Sequence, residues 1–287
     1  WNGPPIVTPY RVELGEDERI AGLSKFWAEV KYNFAWFENV PDLNWDAVLL
    51  AYLPKVRQAK TTLDYYRLLQ EMCALLKDGH TYINPPGAMR EQLDWRPALR
   101  SGLVEGKVLV LEVFDESLTQ DGIRAGLEII DVEGIPAREH AERNVRPYQS
   151  SSTAQDSERT TYGPALLAGA KGSSVNVTFE DERGQRFRRS LARSTQRRNP
   201  PRPPLEFNVL RGNVGYLALN SFSEERIVRE FEAVFASIEK TDGLIIDLRA
   251  NPGGNEGYGR PILACLFDRP FQTTIRGTRR NRAYFRA

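Results

Sequence analysis

Cysteine, histidine and methionine each occur only twice in this 287-residue chain. A structural metal site needs three or four His, Cys or acidic ligands converging on one point, so a His/Cys metal cluster is not expected, and no residue pattern calls for a cofactor. Cys73 and Cys265 fall in apolar helical patterns, which predicts two buried packing thiols rather than a disulfide. An excess of one charge is also lacking. The 39 Lys and Arg against 38 Asp and Glu leave a formal charge of +1, which gives no electrostatic case for nucleic acid or a membrane surface. No apolar run approaches the ~20 residues of a membrane span. No signal-peptide pattern is present, and a chain that opens on Trp1 instead of Met reads as processed or trimmed, or as a fragment.

What is there is ordinary globular material, 41% hydrophobic and 27% charged, long enough for two or three domains with cores of their own. The first ninety residues read as helical. Asp17 to Phe37 carries apolar residues at helical spacing, and a second helix follows Asn44, a predicted N-cap. A third runs from Thr61-Thr62 to Lys77-Asp78-Gly79, with Gly79 as the predicted left-handed terminator and His80-Thr81 directly after it. From Pro97 to Arg193 the pattern changes to short strands, including a hairpin of Ser174 to Phe179 with Gln185 to Leu191. Gln149 to Thr161 reads as an exposed loop leading to a short helix at Pro164 to Ala168. His140 sits on a charged helical face and reads as solvated. The arginine-dense stretches, Arg186 to Arg189, Arg197-Arg198 and Arg276 to Arg286, read as solvated strand edges and linkers.

Asn199 to Pro204 carries four prolines and reads as a stiff linker. Beyond it, Val214 to Leu219 is a strand, Glu224 to Glu239 an amphipathic helix and Leu244 to Leu248 a buried strand, a βαβ unit with a parallel sheet. Gly243 to Gly254 is then a buried strand stopping at a Gly-Gly turn, with a helix from Tyr258 to Phe267. Such a turn presents bare backbone N–H groups that can hold a phosphate, a carboxylate or the oxyanion of acyl transfer. The turn lacks the Lys-Ser/Thr ending of a P-loop and the spacing of a dinucleotide site, which argues against phosphate.

These pieces, in this order, resemble the tail-specific (C-terminal processing) serine peptidase family, tricorn-like branch. The resemblance rests on Leu76-Lys77-Asp78-Gly79-His80-Thr81, Ile123 to Pro136, Gly215 to Phe222 and Gly243 to Gly254. It implies a multi-domain α/β fold: a helical N-terminal region over 1–95, a PDZ-like β-rich domain over 96–194, a proline-rich linker over 195–204, and the first part of a crotonase/ClpP-like α/β core over 205–287. It also implies that His80 is the general base of an activated serine, and that Gly254, with Gly253 as the adjacent alternative, forms a backbone oxyanion hole. The implied substrate is a polypeptide near its C-terminus, and the implied compartment is periplasmic or extracellular.

Two departures from the pattern stand out. The family nucleophile follows the Gly-Gly turn, yet residues 255–287 contain neither serine nor lysine, while Ser221, Ser223 and Ser237 precede the turn. A second serine directly precedes the histidine in the tricorn-like site, where this chain has Gly79. The expectation is therefore a fragment that does not hydrolyse peptides by itself. The competing expectations are a non-catalytic protein binding peptide termini or apolar ligands, and a crotonase-like acyl-CoA enzyme, disfavoured by the helical and PDZ-like regions.

Overall fold

The structure is a computed structural model that describes residues 11–196 and 202–272. Residues 197–201, half of the proline-rich linker, and all of Arg276 to Arg286 lie outside the described residues. The chain divides into two compact units, one taking the described residues up to 196 and the other those from 202 onward.

The first unit begins with helices α1 (Glu16–Asn33), α2 (Trp45–Gln58) and α3 (Thr62–Ala74), followed by the short α4 (Gly87–Leu93). Side-chain caps set the helix starts. Asn44 accepts from Ala47 N, and Thr61 and Asp64 cap each other reciprocally across the first turn of α3. Leu23, Val30, Trp45, Tyr52, Val56, Leu69 and Met72 close the helical core. Arg19 is buried there because its guanidinium serves the open C-terminal end of α2, donating to Val56 O and Arg57 O at 3.1 and 3.2 Å. The end of α3 differs from expectation. The helix stops at Ala74, and the left-handed residue is Lys77, at φ 49°, not Gly79.

The β-rich part of this unit follows in the order β1 (Leu99–Val104), β2 (Lys107–Val113), α5 (Glu116–Gln120), β3 (Glu128–Val132), β4 (Ile135–Pro136), α6 (Ala137–His140), α7 (Ala154–Thr161), β5 (Ser174–Glu180) and β6 (Arg186–Ala192). The strands form one antiparallel sheet in the order β1-β2-β3-β5-β6, with β4 beside β3. The β5–β6 hairpin pairs Phe179 with Phe187, as the alternation predicts. The segment read as an exposed loop holds α7 instead. Thr153 caps it by accepting from Asp156 N, and the turns after it bury Tyr162, Leu166 and Leu167 against the sheet. Buried apolar positions anchor this stretch, which its polar composition concealed.

The second unit is a small α/β body: β7 (Leu205–Leu210), β8 (Val214–Leu219), α8 (Arg226–Ile238), β9 (Gly243–Asp247) and α9 (Glu256–Ala264). β8 and β9 pair in parallel with Val214 opposite Gly243, as the βαβ reading requires, and β7 pairs antiparallel with β8. Its core gathers Leu217, Leu219, Ile227, Phe231, Ile238 and Ile262. Two expectations fail in this unit. β9 is an edge strand, with Ile245 and Ile246 exposed at 47% and 41% and Leu248 at 51%, so the apolar run is not buried here. Cys265, just past the end of α9, is exposed, whereas Cys73 is buried. The apolar run reported side-chain type, but burial depended on which faces the neighbouring elements cover.

Among the described residues no helix is long and apolar enough to cross a membrane.

Candidate active site

The glycine turn grows directly out of β9. Asp247, its last residue, accepts from the Tyr216 hydroxyl and from Arg249 N at 2.9 Å, and it pairs with the Arg249 guanidinium through both oxygens. The Arg249 guanidinium first, and the Tyr216 hydroxyl next, hold the Asp247 carboxyl well below the usual carboxylate range. The Arg249 side chain is 87% exposed, so the pair directs the chain out of the strand more than it stabilises the fold.

Asn251 does the next piece of folding. Its Nδ2 donates to Leu219 O at 2.8 Å, tying the turn to the end of β8, while its Oδ1 accepts from Gly253 N at 2.7 Å. The chain then crosses Phe222 in a parallel bridge, with Phe222 N donating to Gly253 O at 3.0 Å and Asn255 N donating to Phe222 O at 2.8 Å. Both glycines are required, for different reasons. Gly253 has φ 101°, accessible to glycine, with open space where a Cβ would be. Gly254 has φ 137°, and a Cβ there would lie 2.2 Å from Phe222 C and 2.3 Å from its carbonyl oxygen.

This geometry narrows the expectation of bare amides. Gly253 N is engaged by Asn251, Asn255 N by Phe222, and Gly257 N, at the start of α9, by the Asn255 side chain at 2.9 Å. Asparagine side chains thus close two of the donors that a strand–turn–helix sequence would leave open. Gly254 N makes no hydrogen bond among the described residues, and Gly254 is exposed.

His80 belongs to the other unit. It follows α3 in a turn organised by Asp78, whose carboxylate accepts from His80 N at 3.3 Å and from the Thr81 hydroxyl. The His80 residue is exposed and its imidazole has no hydrogen-bond partner among the described residues. One participant was invisible in the sequence: Ser152. Its Oγ accepts from Gly79 N at 2.8 Å and donates to Asp78 Oδ1 at 3.4 Å. A Cβ on Gly79 would stand 3.5 Å from that hydroxyl, so Ser152 supplies an Oγ beside the position where Gly79 has no side chain. The contact spans 73 residues, and no local pattern signals it. Tyr216 and Asn251 were missed as well, although an Asn two residues before a glycine is a recognisable side-chain turn.

His140 departs from its reading as a solvated residue. It is half-buried, its Nδ1 lies 3.2 Å from Asn144 Nδ2, and burial holds its pKa below the usual histidine value. The structure therefore brings Asp247, Arg249, Asn251, Gly253 and Gly254 together in one unit, and Asp78, Gly79, His80, Thr81 and Ser152 together in the other.

Comparison with known proteins gives the following. Residues 213–287 match the model of peptidase family S41, and residues 18–74 match that of the tricorn protease C1 domain. The carboxy-terminal processing protease CtpB of Bacillus subtilis (strain 168) is 26% identical over 159 residues, which cover 53% of this chain and 28% of CtpB. Among solved structures, mature CPAF complexed with lactacystin superposes with a TM-score of 0.57 at 15% identity, covering 85% of this chain and 58% of that one. Mature CPAF alone gives 0.51 at 15% identity, over 84% and 56%. The chain thus spans 28% of the length of CtpB and less than three fifths of CPAF. The CPAF likeness concerns the fold, a multi-domain α/β arrangement. With a tricorn segment at one end, an S41 segment at the other and a processing protease matching over about half of this chain, the chain is similar to the tail-specific, C-terminal processing serine peptidases of family S41.

Proposed function

We propose that this chain is part of a serine-type peptidase that cleaves polypeptides near their C-termini. The observation that carries the reading is the Gly254 amide: an exposed, unpaired N–H held on a rigid Gly-Gly turn at the carboxyl end of a parallel strand. Catalysis of acyl transfer needs a donor that is already oriented and not already bonded, because a pre-set dipole stabilises the tetrahedral oxyanion without reorganising. Gly254 is the donor in this reading. Gly253, the neighbouring candidate, contributes by holding the turn, since its own N–H is engaged by Asn251.

His80 is the general base. Its backbone is fixed by Asp78 and its imidazole is unbonded, which suits a group that must take a proton from a serine hydroxyl and return it to the leaving amine. Ser152 holds the turn that presents it. The nucleophilic serine comes from outside these 287 residues, as residues 255–287 contain none. The β-rich part of the first unit is PDZ-like in this reading and positions the substrate.

The test is labelling of the full-length protein with a fluorophosphonate probe, with peptide turnover measured in parallel. One serine outside residues 1–287 is expected to react. Labelling should be lost in His80→Ala and retained in His140→Ala. A folded full-length protein in which no serine labels would remove the peptidase reading and leave a non-catalytic binding protein.

A further inference from the structure

His80 opens a short stretch whose exposure alternates residue by residue. His80, Tyr82 and Asn84 are exposed, while Thr81 and Ile83 between them are half-buried. An extended chain gives this pattern, because successive side chains point to opposite sides. The inner side is anchored. The Thr81 hydroxyl donates to Asp78, the Thr81 carbonyl accepts from the Cys73 thiol at 3.3 Å, and Ile83 packs on the helical core. The outer side is uncovered. Neither the main chain of Tyr82, Ile83 and Asn84 nor the side chains of Tyr82 and Asn84 make a hydrogen bond among the described residues.

Tyr82 is 66% exposed. A lone aromatic at a surface is ordinary, but the position of this one is not. The alternation sets its ring on the same outward side as the His80 imidazole, and two residues of extended chain span about 6.6 Å. A general base that takes the serine proton and returns it to the leaving amine lies on the leaving-group side of the scissile bond. An extended substrate rises by about 3.3 Å per residue, so a side chain at the first or second position after that bond comes within reach of the ring. A tyrosine on an anchored stretch presents a large apolar face and has few rotamers to lose.

We propose that Tyr82 is a specificity-determining residue whose ring packs against an apolar side chain one or two positions after the scissile bond. The substrates favoured would then be polypeptides whose released segment begins with aromatic or branched aliphatic residues. This role rests on the peptidase reading with His80 as base, and it adds which side of the substrate is selected and by what chemistry.

The experiment uses the full-length protein and quenched peptides built around a bond that mass spectrometry shows to be cleaved. One set places phenylalanine, leucine, glycine or aspartate at each of the two positions after the bond, and a matching set varies the two positions before it. Wild type should cleave the phenylalanine and leucine peptides of the first set about tenfold or more better, in kcat/KM, than the glycine and aspartate ones. Tyr82→Ala should shrink that ratio by about tenfold, Tyr82→Phe should keep it, and the preference before the bond should be the same in all three proteins. A fluorophosphonate reaches the serine without carrying a leaving segment, so Tyr82→Ala should slow labelling far less than it slows cleavage of the phenylalanine peptides. Thermal melting checks that each variant is folded. The inference is overturned if wild type shows no preference after the bond, if that preference survives Tyr82→Ala, or if labelling and all peptides slow alike, which marks a structural role. Wild-type labelling alongside any of these results leaves the peptidase reading standing, whereas a wild type that neither labels nor cleaves removes both.

Discussion

Replacing Gly254 by alanine tests whether the turn is as constrained as its geometry implies. The new Cβ would sit 2.2 Å from Phe222 C, 2.3 Å from its oxygen and 2.7 Å from Ser223 N, and all three are backbone atoms that no rotamer change can move. The φ of 137° adds strain of about 1–3 kcal/mol for any residue with a side chain. Relieving the overlap means moving Phe222 away, which breaks its bonds with Gly253 O and Asn255 N, at about 1 kcal/mol each. The sum is roughly 3–5 kcal/mol, a large share of a typical domain's stability. Gly253→Ala is the internal control, because its Cβ meets nothing within 4 Å and only the φ strain remains. Hydrogen exchange at the Phe222 and Asn255 amides reads the difference. Gly254→Ala should speed exchange there by about 100-fold to several thousandfold, each tenfold being about 1.4 kcal/mol. Gly253→Ala should give far less, and amides of the first unit should not change. Equal effects from the two alanines would refute the steric argument.

Two further expectations are simpler to check. Ser152→Ala removes the acceptor for Gly79 N, and the loosened turn should cost about 1 kcal/mol in stability and lower kcat of the full-length enzyme with KM little changed. Adding Gly79→Ser to Ser152→Ala should recover part of that kcat. At pH 8 in native conditions a thiol reagent should modify one cysteine, Cys265, and only denaturant should expose the second. Burial pushes the Cys73 thiol up to about 11, so its ionisation opposes folding, and stability should decline as pH rises past the unfolded value of about 8.5. Two rapidly modified thiols in the native protein would contradict the packing of α3.

Periodicity in the sequence was enough to lay out α1, α2 and α3, the β5–β6 hairpin and the parallel β8–α8–β9 unit, because each is a local pattern of which side chains must face inward. It also located the glycine pair, since no other residue follows that backbone path. Tertiary contacts decided the remainder. Which amide at the turn stays free depends on Asn251 reaching Leu219 and on Phe222 crossing the chain, and composition cannot reveal either. Ser152 reaches Gly79 across 73 residues. Residue type set what each group could do chemically, while long-range packing determined which of those capacities were already satisfied and which were left open to a ligand.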